Sequence, residues 1–222
     1  FPSINGIDPN WIYVKDICED ALGNIWIATS NNGIIRIKGN INMPETLSFR
    51  HYIPDNKSLL AKEALCIHTD KAGRVWAGTE SNGLVLYNEQ TDSFENKSRL
   101  FNVPGDMIGS IEEDNEGSLW LGTDNGLIRL RVINENEAVL RVYTSADGLQ
   151  DNFFIPKSSY SKDGELFFGG YKGYNSFYPE VLDDENPEII FTITDIKIFN
   201  RSFTLLDKDL QKQISALTPV FT

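Results

Sequence analysis

The sequence predicts an all-β chain of repeated four-stranded units, and three observations predict it. One ten-residue stretch recurs at Asp20 to Thr29, Asp70 to Thr79 and Asp114 to Thr123, with a looser copy at Ser161 to Gly170. The aromatic residues of the copies, Trp26, Trp76, Trp120 and Phe167, are spaced by 50, 44 and 47 residues, a period that belongs to propeller blades and other repeated β units. Asn-Gly and a short apolar run follow each of the first three copies, and that pair is the strongest short-range hairpin signal.

Each copy reads as short strands joined by tight turns. In the third, residues 107–112, 118–122, 127–132 and 138–144 alternate as strands, and 47–52 and 93–96 are the weaker counterparts of the last. The turns have a physical basis. Asp20, Asp70 and Asp114 open them, where a carboxylate accepts a backbone N–H two residues on, and Gly23, Gly73, Gly117 and Gly164 close them, where positive φ is tolerated. Four antiparallel strands per repeat make one propeller blade. The tryptophans, with Phe167 in their place in the fourth copy, then sit between neighbouring blades, where a large flat side chain buries most area. Ile17, Ile67 and Ile111, three residues ahead of each Asp, read as core.

On this reading residues 1–180 are a propeller segment with blades at about 10–53, 62–98, 105–145 and 152–180. An acidic linker at 181–187, including Asp183-Asp184-Glu185-Asn186-Pro187, marks a boundary. Residues 188–200 then alternate strongly without the Gly-x-x-Trp rhythm, as the first strands of a different all-β domain. Residues 207–215 have only weak helical or loop character.

Composition narrows the function classes. With 32 acidic against 20 basic residues the net charge is -12, a field that repels phosphate backbones and anionic headgroups, so neither nucleic acid nor a membrane surface is an expected partner. No run of about 18 apolar residues spans a bilayer, and no basic-then-apolar start marks a signal peptide. The opening at Phe1-Pro2-Ser3 reads as the middle of a longer protein. Cys18 and Cys66 occupy matching strands; a disulfide is one reading, two free thiols packed as small apolar residues the simpler one.

No constellation for catalysis is legible. His51 and His68 lie in different blades without a second ligand at metal spacing, so neither a metal nor a cofactor is expected. The three turn carboxylates recur at one blade position, as turn formers do and catalysts do not. Binding remains, on loops at one mouth of the channel. Sugars favour a flat aromatic face beside fixed hydrogen-bonding groups, which makes Trp11, Asn152, Phe153, Tyr171 and Lys172 the candidates; packed or solvated loop residues are the plainer alternative.

The pattern Asp-x-x-Gly-x-(Ile/Val/Leu)-Trp-(Ile/Ala/Leu)-(Ala/Gly)-Thr, followed by Gly-(Ile/Leu), resembles the two-component regulator propeller repeat. Asp147-Gly148-Leu149, Phe168-Gly169-Gly170 and Asn175-Ser176-Phe177-Tyr178-Pro179 are similar to the last blade of such a propeller. The stretch from Thr192 to Asn200 resembles the start of the immunoglobulin-like Y_Y_Y domain that follows it. The resemblance covers residues 10–200. It implies four blades of a seven-bladed ring in the periplasmic sensor region of a Bacteroidetes hybrid two-component histidine kinase. Such a region senses glycan-derived oligosaccharides and switches on polysaccharide-utilisation genes. Two open blade faces would then be covered by missing blades or by a second copy of the chain. The alternatives are a structural or protein-interaction propeller, and a propeller lyase or glycosidase, given a fainter similarity to streptogramin lyases and the Asp-box of sialidases.

Overall fold

A computed structural model describes residues 12–40, 42–54, 57–59, 61–160, 163–182, 197–198 and 201–202. The chain divides into two compact units, Phe1–Leu182 and Asp183–Thr222.

Unit one holds four antiparallel meanders. β1 (Val14–Glu19), β2 (Ile25–Thr29), β3 (Ile34–Lys38) and β4 (Ser48–Tyr52) form the first sheet, and β5 (Ala64–Thr69), β6 (Val75–Thr79), β7 (Leu84–Asn88) and β8 (Ser93–Asn96) the second. β9 (Ile108–Glu113), β10 (Leu119–Thr123), β11 (Gly126–Asn134) and β12 (Glu137–Tyr143) form the third. β13 (Phe154–Tyr160), β14 (Leu166–Gly170) and β15 (Gly173–Phe177) give the fourth sheet three strands among the described residues. A single helical turn, α1 (Ser98–Phe101), connects the second sheet to the third. The first strands β1, β5, β9 and β13 lie side by side in sequence order, so each sheet is a propeller blade with its opening strand innermost. In unit two the described residues are β16 (Lys197–Ile198) and β17 (Arg201–Ser202), an antiparallel pair. Of the expected linker at 181–187, Val181 instead ends a short helical turn, Pro179–Val181, in unit one, while residues 183–187 and the helical or loop segment at 207–215 fall outside the described residues.

The repeated stretch builds the blade-to-blade core. Asp114 Oδ1 accepts the Glu116 and Ser118 N–H groups at 3.0 and 2.8 Å, and Gly117 takes φ 83° to close the turn. Trp120, 0% exposed, packs against Phe154, Leu166 and Phe168 of the fourth sheet. Trp26 and Trp76 do the same against the second and third sheets. Burying a tryptophan's 150–250 Å² stabilises each interface by on the order of 4–6 kcal/mol of transfer free energy. Close approach sets one further position: a Cβ on Gly122 would collide with Ser110 Oγ and come within 3.2 Å of Phe154 Cβ.

The Trp-bearing turn carries two features beyond its backbone. Oδ2 of Asp20, Asp70 and Asp114 accepts the indole Nε1–H of Trp26, Trp76 and Trp120 at 2.8, 2.7 and 2.9 Å. An arginine also lies over each indole. Arg36 and Arg129, directly opposite Trp26 and Trp120 in register, place Cζ 5.2 and 5.6 Å from the ring centroids. In the second blade Leu86 stands opposite Trp76, and Arg74 supplies the cation instead, at 5.3 Å.

Ile17 departs from the core expectation. Ile67 and Ile111 are 4% and 6% exposed, but Ile17 is 56% exposed. Ile67 and Ile111 face the preceding blade; Ile17 is the same position on the side of the first sheet that looks away from the second. Tyr13, Val14 and Leu22 share its exposure. Phe167 shows the mirror case: it occupies the tryptophan position of the fourth sheet, remains half-buried and packs on Tyr174 at 6.2 Å.

Candidate functional site

The connections between blades and the turns between each blade's second and third strands meet at one end of unit one. Gly33 N donates to Lys62 O, Gly83 N to Asp106 O and Gly126 N to Asn152 O, at 2.6 to 2.7 Å. At the fourth blade this end is the most elaborated. Thr144 and Asp147 form a reciprocal cap on the short turn Ser145–Asp147, and Gly148 leaves it at φ 96°. Asn152 Oδ1 then accepts Ser145 N–H at 2.7 Å, Gln150 N donates to Asn175 Oδ1 at 3.1 Å, and Lys172 N donates to Gln150 Oε1 at 2.9 Å.

That scaffold brings four of the five candidate residues together. Phe153 and Tyr171 stack with centroids 5.2 Å apart and planes 28° apart, and Tyr171 is 76% exposed. Lys172 Nζ pairs with Asp151 Oδ2 at 3.1 Å. The Lys172 hydrogen bond, joined by the Asn152 N–H, holds the Asp151 carboxyl below the usual carboxylate range. Gln150 Nε2 lies buried without an acceptor, against the Cβ direction of Gly170. The result is an exposed aromatic face beside an ammonium, a carboxylate and the Asn152 amide, an arrangement suited to stacking on a sugar ring while bonding its hydroxyls. Trp11 lies outside the described residues.

The other titratable groups are placed differently. A cavity of about 440 Å³ follows the inner strands and is lined by Asp16, Cys18, Cys66, His68, Ser110 and Glu112, among others. Both cysteines are free. Burial pushes the Cys18 thiol up to about 11, aided by Asp16 and Asp20 against a bond from Thr69; burial raises Cys66 further. Burial lowers His68 against the opposing pull of Glu113 and Asp70. His51 Nε2 is 2.6 Å from Asn32 O. No cluster of three His, Cys, Asp or Glu suited to a metal occurs among the described residues, and no described helix is long and apolar enough to cross a membrane.

Comparison with known proteins bears on this geometry. The family described as two component regulator propeller matches residues 6–31 and 102–125, the first and third copies of the repeat. Two of the four blades thus carry a stretch similar to the two-component regulator propeller repeat. A histidine kinase of Formosa agariphila is 28% identical over 193 residues, which is 85% of this chain and 14% of that protein. The extracellular domains of two B. thetaiotaomicron proteins, described as a hybrid two-component system and a one-component system, superpose with TM-scores of 0.64 and 0.65. Their identities are 19% and 18%, over 81% of this chain in both cases. The chain therefore spans 23% and 25% of those two domains. Virginiamycin B lyase of Staphylococcus aureus superposes with a TM-score of 0.51 at 14% identity, a likeness of propeller architecture alone.

Proposed function

We propose that this chain is part of the periplasmic sensor region of a hybrid two-component histidine kinase held in the inner membrane. It binds, or relays the binding of, a glycan-derived oligosaccharide that switches on polysaccharide-utilisation genes. The chain itself carries out no chemistry. The observation that carries the reading is the Phe153–Tyr171 platform with the Lys172–Asp151 pair beside it, 5.2 Å between rings and 3.1 Å between charges. The repeat, the kinase relative and the two extracellular superpositions support it. In this reading residues 1–180 are the sensing propeller, 181–187 the linker and 188–222 the start of a Y_Y_Y domain that passes the signal on. The open faces at Ile17 and Phe167 are covered by further blades of the same polypeptide, or by a second copy.

Calorimetric titration of the intact ectodomain against a glycan panel tests the reading. Heat with one oligosaccharide, lost in Tyr171→Ala, is expected; no heat with any oligosaccharide refutes it.

A further inference from the structure

We infer that a groove at the same end of the second and third blades is a second sugar site, taking one neutral, hydroxyl-rich unit. This rests on the oligosaccharide reading above and adds a location and a ligand class to it. The groove, about 310 Å³, lies between the β6–β7 turn and the loop that carries α1.

Its floor is built rigidly. Phe101 and Val103 are buried in the core between the second and third blades. Ser98 Oγ accepts Leu84 N–H at 2.7 Å, Val103 N donates to Ser98 O at 2.9 Å, and Gly83 N donates to Asp106 O at 2.7 Å. Gly83 is needed there, since at φ 64° a Cβ would run into Ser98 Oγ. Asn102 ends the helical turn in the left-handed region at φ 55°, ψ 38°. Asn96 Nδ2 donates to Asn82 O at 2.5 Å and Asn96 Oδ1 accepts Arg99 N–H at 3.1 Å. A preordered floor removes much of the entropy cost of binding.

The rim, in contrast, is uncommitted. Ser81, Arg99, Asn102 and Asp106 are exposed, and their side chains bond to no other described residue. Together they offer a hydroxyl, a guanidinium, an amide and a carboxylate, donors and acceptors facing one space. That is the complement of vicinal hydroxyls, each of which donates and accepts. Arg99 and Asp106 balance in charge, and the chain as a whole is at -12, so an anionic sugar meets no net attraction. Val103 is 7% exposed, which leaves little apolar wall for a hydrophobic ligand. The rim continues toward the Tyr171 platform: Gly105 sits against Asp124, whose turn is tied through Gly126 to Asn152.

The test titrates the intact polypeptide that carries this chain with neutral hexasaccharides of xylose, mannose, galactose and glucose, and with hexagalacturonate. Hydrogen exchange maps the protected segments. A neutral hexasaccharide is expected to protect residues 98–106. Because a hydrogen bond to a charged group contributes about 1.5–3 kcal/mol, Arg99→Ala and Asp106→Ala should each weaken binding about tenfold to a hundredfold. Both side chains are exposed and pair with no other described residue, so unchanged urea midpoints will show that the variants fold. Binding that protects only residues 150–153 and 171–173 and ignores both variants overturns the groove but leaves the sensor reading standing. Preference for hexagalacturonate overturns the neutral class. Binding of no saccharide overturns both readings.

Discussion

Replacing Asp114 by Asn removes one charge and exchanges one oxygen for an N–H group, in a side chain 1% exposed. The carboxylate now accepts from Glu116 N, Ser118 N and Trp120 Nε1, at 3.0, 2.8 and 2.9 Å, and has Arg129 Nη2 3.5 Å away. An amide can keep its oxygen toward the two backbone donors, which turns its own N–H groups toward the indole and the guanidinium. Each buried donor left without an acceptor costs about 1–3 kcal/mol. Arg129 keeps Glu116 at 2.9 Å, so the sum falls toward the low end, about 2–4 kcal/mol for Asp114→Asn. Asp114→Ala strands the buried Ser118 N–H as well and should cost about 3–6 kcal/mol. Urea unfolding followed by tryptophan fluorescence measures both. The decisive comparison is a cycle with Trp120→Phe, which deletes the indole donor. In that background Asn at 114 should cost about 1–2 kcal/mol less, as expected for residues in contact. A loss below about 0.5 kcal/mol for Asp114→Asn, or full additivity in the cycle, would refute the bond from Asp to Trp as an anchor of the blade.

Three further outcomes are expected. Ile111→Ala should cost about 2–5 kcal/mol as a core truncation, while Ile17→Ala in this chain stays within about 0.5 kcal/mol; equal losses in urea titrations would contradict the open face. Neither thiol should react with a disulfide reagent at pH 8 in the folded chain, since burial raises both Cys18 and Cys66, and both should react on unfolding; rapid native labelling of Cys66 would count against its packing. His68 is held low by burial, so the unfolded chain takes up a proton that the folded chain refuses as pH drops below about 6.5, and stability falls there. His68→Gln removes that loss, separating it from Glu63, whose carboxyl is raised by burial and Glu80. Below about pH 4 a second loss follows as Asp20 and Asp92 titrate. Burial opposes their charge, but hydrogen bonds from Asn24 and Trp26, and from Tyr52 and Tyr87, outweigh it and hold both low. Identical pH profiles for wild type and His68→Gln would remove His68 from the account.

The blade scaffold was legible because turn chemistry and strand alternation are local. The strand at 93–96 coincides with β8, and the expected 138–144 differs from β12 by one residue at each end. What crosses between strands was not. The bond from Asp to Trp spans six residues in all three copies, a spacing visible in the sequence, yet only a β-turn that doubles back puts the two side chains together. The arginine over each indole was hidden further, because Arg74 comes from the tryptophan's own strand approach while Arg36 and Arg129 come from the next strand. Ile17 was misread because a repeat treats its copies as equivalent, whereas an end blade has one face without a neighbour among the described residues. The groove at Arg99 gave no signal, since Ser, Asn and Gly in succession are also what an ordinary connection needs.

The repeat therefore separates two kinds of position. Where the copies agree, as at the Asp, Gly and Trp of each turn, the residues bond to one another and are spent on holding blades together. Where they differ, the donors and acceptors are left over. The three connections after β4, β8 and β12 show this in sequence order. Ser58 Oγ accepts Ile53 N–H in the first, at 3.2 Å. The second holds α1 and the exposed Arg99. The third holds a capped turn and Asp151, which pairs with Lys172 of the turn after β14. Each is anchored on its own buried cluster between blades, so a loop can change its surface chemistry without touching a tryptophan. Under the proposed sensor function, recognition is a property of consecutive, independently variable loops on a shared rim. A ligand long enough to touch two of them would be read by the combination rather than by either one.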